Sequence, residues 1–301
     1  MNKLLQILKK KKIEYRLDAD FSEISYLGLK QKLKALINPK NIKQLKLVLK
    51  ILIKYNLKYA FISMGTNSYL IDDNVVLISL MSFKKIDRIR GNRIIVSANQ
   101  RMSSLSFKYA RRNIISFIGG TLIPGSIGAG VVGNAGIKNI TITKYLKGIL
   151  VLDLKSLKLK HISKEKINFY YRDSSIKEML ILRLTFYKKI DTKAIKFYNC
   201  LKDYRKNQPN ERSLGSTFKN NPQVQAGYLI DKLGLKGLQY KNLAVSSCHA
   251  NFIIAKAESS AFDLYLMILL IKIIVYLKSG IKLDPEIKGL KLYQKNEKKD
   301  I

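Results

Sequence analysis

Five glycines stand at 125, 128, 130, 133 and 136. Lacking Cβ atoms, they let a backbone come close to a ligand, and successive amides in such a loop make a concavity for an anion. A set of tight turns with no ligand is the competing reading, but a simple hairpin needs fewer glycines. Gly65-Thr66-Asn67, after a short apolar run, is a second and weaker turn of this kind. Within the first stretch, Gly128-Ala129-Gly130-Val131-Val132-Gly133 matches G-x-G-x-x-G, with Asp153 twenty residues beyond Gly133. A dinucleotide fingerprint must close a strand and open a helix. Here Ile123-Pro124-Gly125-Ser126 precedes the match and Asn134-Ala135-Gly136 comes after it, a poor start for a long helix. Asp153 falls in an expected hairpin. The Rossmann reading is rejected, while the anion-binding chemistry of the loop stands.

Other reactive side chains are sparse. Two cysteines (Cys200, Cys248) and two histidines (His161, His249) are too few soft ligands for a Cys/His zinc site, and no metal is expected. The cysteines read as ordinary reduced thiols, which suits a reducing compartment. His249 reads as a structural histidine at a strand start.

The elements that must position the loops can be read from the apolar pattern. Ile42, Leu45, Leu49, Leu52 and Ile53 predict a helix ending near Asn56. Strands are expected over 58–63 and 75–80, a helix over 104–112, and a hairpin joining 149–155 to 157–160. Residues 170–174 form a polar loop before a strand over 179–187. A helix over 192–205 precedes the turn-rich segment 207–222, which inside a compact domain marks function. A short helix after Pro222 stops at Gly234, strands run near 244–246 and 251–255, and a last helix spans 259–278. Leu264–Leu277 is interrupted by Lys272 and too short to span a bilayer, so it reads as a buried core helix. Separate helices, strands and a hairpin give an α+β class.

The 301 residues carry a net charge of +35, with 47% hydrophobic and 26% charged residues, which are globular values. A charge of that size invites a nucleic-acid reading. The lysines are scattered, however, with one run at Lys9–Lys12 and no interleaved aromatics to stack bases. Compositional bias is preferred, and no specific nucleic-acid partner is expected. The N-terminal apolar stretch is too short for a signal peptide, so a cytoplasmic protein without membrane insertion is expected.

Taken in order, the motifs resemble those of the UDP-N-acetylenolpyruvoylglucosamine reductase family. Ser63-Met64-Gly65-Thr66-Asn67-Ser68 resembles its first FAD loop, and Ile123 through Gly136 its second. Tyr171-Arg172-Asp173-Ser174 resembles a Tyr-Arg-x-Ser motif. Gly215-Ser216-Thr217-Phe218-Lys219-Asn220, preceded by Arg205 and Gln208-Pro209, resembles Gly-Ser-x-Phe-Lys-Asn. Leu229 through Gly237, Val245 through Ile253 and Leu283-Asp284-Pro285-Glu286 complete the set, over about residues 22 to 290. Three departures replace family glycines by Ser63, Leu122 and Ala129, adding bulk near the cofactor that would weaken flavin affinity.

The resemblance implies an FAD-binding domain of the vanillyl-alcohol-oxidase (PCMH) type over 22–188 and a smaller α+β substrate-binding domain over 189–286. Residues 1–21 would be an extension, and 287–301 a tail returning to the first domain. It implies a monomer in which NADPH reduces FAD, which then reduces the enolpyruvyl ether of a UDP-sugar to UDP-N-acetylmuramate. FAD contacts would come from Ser63, Met64, Gly65, Thr66, Asn67, Ser68, Ile123, Pro124, Gly125, Ser126, Gly128, Asn134, Ala135 and Gly136. Arg172 would stabilise negative charge, Glu286 hold an enol form, and Ser216 donate the quenching proton. Tyr171, Lys219 and Asn220 would bind substrate. Taken singly, Arg172 reads equally as a surface cation, Ser216 as a turn or cap residue, and Glu286 as a first-turn carboxylate. A basic nucleic-acid-binding module and a flavoprotein that holds FAD without turnover are the alternatives.

Overall fold

The computed structural model describes residues 1–294 apart from 138. Among them are the helices α1 (Asn2–Lys10), α2 (Ile42–Lys54), α3 (Met102–Ala110), α4 (Ile127–Val132), α5 (Ala194–Tyr204), α6 (Ala226–Lys232) and α7 (Ala261–Ser279). The chain divides into two compact units: Met1–Ser82 with Asn207–Ile301, and Phe83–Lys206.

In the first unit, a four-stranded sheet has the order Glu14–Leu17, Ala35–Asn38, Val76–Ser79, Tyr59–Ile62. The first pair is antiparallel and the other two are parallel. α2 is the crossover that parallel strands require. Asn41 caps it by accepting the Gln44 amide at 3.0 Å, and Leu45, Val48, Leu49 and Leu52 are buried. A second sheet, antiparallel, runs Ser213–Ser216, Phe252–Ala255, Leu243–Val245, Gln239–Tyr240. Leu36, Ala60 and Leu77 of the first sheet share one core with Leu214 and Ile253 of the second and with Leu264, Ile268 and Ile271 of α7.

The second unit is built on a five-stranded antiparallel sheet in the order Leu159–Ser163, Leu146–Asp153, Met179–Tyr187, Arg93–Ser97, Asp87–Arg90. Val96, Val151, Leu184 and Phe186 pack there against Leu105 and Tyr109 of α3 and Ile127 and Val131 of α4. Ala194, Tyr198 and Leu201 of α5 form a smaller cluster with Ala110 and Ile118.

The unit boundaries cut across the segments expected from sequence. Residues 22–82 share a core with the C-terminal part, and 189–206 join the unit of 83–188. After Leu283-Asp284-Pro285-Glu286, the chain runs back along the first unit. Lys288–Gly289 pairs in parallel with Ser68–Tyr69, and the Tyr293 amide donates to the Tyr59 carbonyl at 2.8 Å. The last residues of the expected tail, 295–301, lie outside the described residues.

Two local expectations change. The polar loop at 170–174 is a tight hairpin of Phe169–Tyr170 and Asp173–Ser174 with Tyr171-Arg172 at its tip, and Arg172 takes a φ of 55°. The last helix is buried on one side only: Phe262, Leu269, Ile273 and Leu277 of α7 are exposed. No helix among the described residues is long and apolar enough to cross a membrane.

Candidate active site

The first loop, Ser63–Ser68, leaves the C-terminal end of the parallel strand Tyr59–Ile62, the end at which open α/β sheets bind ligands. Gly65 makes its turn possible: φ is 58°, and a Cβ there would lie 2.3 Å from the Ile24 carbonyl oxygen. Asn67 Nδ2 donates to the Glu286 carbonyl at 3.3 Å, and Asn67 O accepts the Lys288 amide at 3.1 Å. The loop is thereby tied to the segment that carries Glu286.

Ser216 ends a strand with a bulge. Ser213 faces Ile254 and Ser216 faces Phe252, so the intervening register shifts, and Gly215 with φ 81° absorbs the extra residue. Asn251 clamps the two residues after the serine. Its Oδ1 accepts the Phe218 amide at 2.9 Å, its Nδ2 donates to the Phe218 carbonyl at 2.8 Å, and its own carbonyl accepts the Thr217 amide at 2.8 Å. The Glu286 amide donates to the Thr217 carbonyl at 2.8 Å and the Lys219 amide to the Asp284 carbonyl at 2.8 Å. Within the first unit, the structure therefore brings Ser216, Lys219, Glu286 and the first loop together. Lys219 Nζ is 3.8 Å from an Asp284 carboxylate oxygen, and the Asn220 Oδ1 accepts the Ala226 amide of α6 at 3.0 Å. Asn220 thus serves as a helix-anchoring residue, which its motif alone did not disclose.

His249 supports this assembly from behind. Its Nδ1 accepts the Asn251 amide at 3.2 Å and its ring packs edge-on against Phe252. Burial pushes the imidazole below its ordinary pKa, keeping Nδ1 an acceptor. The structural reading of His249 holds.

The second loop belongs to the second unit. Its G-x-G-x-x-G match lies inside α4, whose first amides are already used: Ile127 N donates to Gln100 O at 2.8 Å, Gly128 N to Ala98 O at 2.9 Å and Ala129 N to Ser126 Oγ at 3.3 Å. No strand feeds this helix and its N-terminus is closed by protein, which bears out the rejection of the Rossmann reading. Three of the five glycines also have a different cause from the one expected: a Cβ at Gly130 would lie 2.5 Å from the Sδ of buried Met102. A Cβ at Gly128 would lie 2.7 Å from the Ala98 Cβ, and one at Gly136 would lie 2.5 Å from the Ile140 carbonyl oxygen. Their bareness serves close packing of the chain on itself. Gly125, with φ 109°, retains the reading of a turn glycine, and its carbonyl accepts the Met102 amide at the start of α3 at 3.0 Å.

The Arg172 hairpin is bolted to this loop. Asn134, buried and at φ 43°, donates through Nδ2 to the Tyr170 carbonyl at 2.9 Å and accepts from Thr143 Oγ1 at 2.7 Å. Ser174 Oγ donates to Val132 O at 2.7 Å, and Arg172 Nη2 to Gly136 O at 3.0 Å. The Arg172 guanidinium lies 5.1 Å from the Tyr171 ring centroid, and Tyr171 itself is exposed. Arg205, at the end of α5, is a second cation here. Burial, and after it the neighbouring Arg172, pull it down to about 10, so it stays charged at neutral pH. Sequence reasoning gave Arg205 no role, although its place before Gln208-Pro209 was the available signal.

The two loops contain no acidic side chain to repel a diphosphate and are rich in hydroxyls, amides and glycine turns. That donor set fits FAD. Among the described residues, no cluster of His, Cys, Asp and Glu could hold a metal.

A family model described as an FAD binding domain matches residues 33–159, and one described as the C-terminal domain of UDP-N-acetylenolpyruvoylglucosamine reductase matches 208–290. The protein is a flavin-dependent oxidoreductase of the α+β class with FAD as its cofactor. A UDP-N-acetylenolpyruvoylglucosamine reductase of Prochlorococcus marinus is 33% identical over 260 residues, 83% of this chain and 89% of that one. One of Caldicellulosiruptor bescii is 31% identical over 290 residues, 93% and 92% of the two chains. The crystal structure of the reductase from Thermus caldophilus superposes with a TM-score of 0.75 at 23% identity, over 92% of this chain and 98% of that one, and shares the fold. The chain belongs to the UDP-N-acetylenolpyruvoylglucosamine reductase family.

Proposed function

We propose that the protein reduces UDP-N-acetyl-3-O-enolpyruvylglucosamine to UDP-N-acetylmuramate with NADPH as hydride donor, a step in making peptidoglycan precursors. The observation that carries this reading is the Ser216–Glu286 assembly. A glycine bulge precedes the serine, and the backbone bond from the Glu286 amide to the Thr217 carbonyl keeps the two residues' segments side by side, in a chain of this family.

When bound, FAD supplies the capacity to take a hydride from NADPH and release it to carbon. It would be held by Ser63, Met64, Gly65, Thr66, Asn67 and Ser68 and by Ile123, Pro124, Gly125, Ser126 and Ala135, while Gly128, Asn134 and Gly136, engaged within the chain, would shape the second loop around it. The remaining chemistry falls to side chains. Hydride addition to the enolpyruvyl group places negative charge next to a carboxylate, and a fixed cation lowers that barrier. Arg172, a planar and permanently charged fork held by Gly136 O, suits a carboxylate. Glu286 would help hold the enol form. Ser216 Oγ would then give its proton to the substrate carbon. Lys219 supplies a point charge for the diphosphate, with Tyr171 and Asn220 beside the substrate.

Nucleotide sugars and NADPH are cytoplasmic metabolites, which supports a cytoplasmic site of action. The +35 charge disfavours self-association, which supports a monomer. Scattered lysines support the absence of a specific nucleic-acid partner.

Ser216→Ala is the direct test. The variant is expected to bind flavin and be reduced by NADPH at the wild-type rate, while reoxidation by the enolpyruvyl substrate slows at least ~100-fold. Full turnover by the variant contradicts the assignment.

A further inference from the structure

α7 has two unlike faces. Ala261, Leu264, Met267, Ile268, Ile271 and Val275 are buried in the core of the first unit. Opposite them, Phe262, Tyr265, Leu269, Ile273, Tyr276 and Leu277 form a row at helical spacing that stays 38–77% exposed, Leu277 most of all. At 1.5 Å per residue this row is roughly 22 Å long. An uninterrupted row of that size on a soluble surface marks an interaction site.

The charge around the row selects the partner. Asp263 is the only acid in α7 and is taken up by Lys241 at 2.6 Å. Glu258, just before the helix, is paired with Lys30 at 2.5 Å. Lys272 lies along the margin of the row, and Lys282 sits 5.8 Å from the Tyr276 ring centroid. A second copy of a chain with +35 charge is repelled from such a face, whereas an anionic partner is drawn to it.

We propose that this face of α7 docks the protein on an anionic lipid surface. Aromatics stand at both ends of the row with aliphatic side chains between them, and lysines on its margin can extend to headgroups. This is the pattern of a helix lying in the plane of a membrane interface. α7 would lie on the bilayer, since no described helix is long and apolar enough to cross one. The inference is independent of the proposed reaction.

The test is co-sedimentation of the purified protein with phosphatidylcholine vesicles, alone or mixed with phosphatidylglycerol. Wild type is expected to partition at least ~10-fold more onto the mixed vesicles. Leu269→Ser with Ile273→Ser should lose that binding at least ~10-fold while keeping flavin content and melting temperature. Lys272→Gln with Lys282→Gln should weaken it on mixed vesicles only. Equal sedimentation of wild type and the Leu269/Ile273 variant overturns the proposal. So does a wild-type dimer in sedimentation velocity that the same variant lacks, which would assign the face to a second copy.

Discussion

At the scale of single residues, the family departures are informative. Leu122 is one of the three positions expected to replace a family glycine, and its φ of 53° places an L-residue in the left-handed region that glycine occupies without strain. Its side chain is 36% exposed, so the burial of the remainder offsets only part of that strain. Leu122→Gly is expected to stabilise the protein by about 1 kcal/mol, the relief of a left-handed non-glycine less the entropy glycine gains when unfolded. Thermal melting of the two proteins checks this, and a lower melting point for the glycine variant contradicts it. Ala129 sits on the exposed side of α4 and Ser63 Oγ contacts Met81 Sδ at 3.6 Å, and neither position carries positive φ.

At the scale of elements, the motif around Ser216 depends on a chain of backbone clamps. His249 holds Asn251, and Asn251 holds Thr217 and Phe218. The lowered pKa of His249, caused first by burial, has a definite consequence for pH. The unfolded imidazole binds a proton near pH ~6.5, before the folded one does. Its contribution is fully present above that pH and is lost as pH falls toward the folded value. Wild type is expected to lose melting temperature below pH ~6.5 more steeply than His249→Asn, whose Oδ1 can accept the Asn251 amide at any protonation state. Parallel slopes for the two proteins contradict this.

The periodic elements were legible in the sequence because burial writes itself as spacing. The helix over 42–54 and the strand over 179–187 fall where the apolar residues predicted them, and the hairpin expected over 149–155 and 157–160 is present with shifted bounds, Leu146–Asp153 and Leu159–Ser163. The tight hairpin at Tyr170–Ser174 was not legible. Its strands are two residues each, and its tip uses an arginine at positive φ where a turn signal would be asparagine or glycine. The glycines at 128 and 136 were legible as special positions but not in their cause, which lies in Ala98 and Ile140, residues no local pattern connects to them.

At the scale of the whole molecule, the order of motifs along the chain carried the functional reading, and contacts distant in sequence explain its geometry. Asn67 meets Glu286 across 219 positions, and Phe218 meets Asn251 across 33. No window of sequence shows either pairing, yet together they gather the first loop, the serine motif and the acid into one unit. Sequence boundaries drawn by motif differ from the compact units because the strands of residues 14–79 share their core with α7, not with the sheet of the second unit.

The central claim is tested most directly by the anaerobic absorbance spectrum of the purified protein, recorded before and after addition of NADPH and then of UDP-N-acetyl-3-O-enolpyruvylglucosamine. The yellow flavin band is expected at the start, bleached by NADPH and restored by the substrate with formation of UDP-N-acetylmuramate. A colourless protein, or a bleached one that the substrate leaves bleached, contradicts the account.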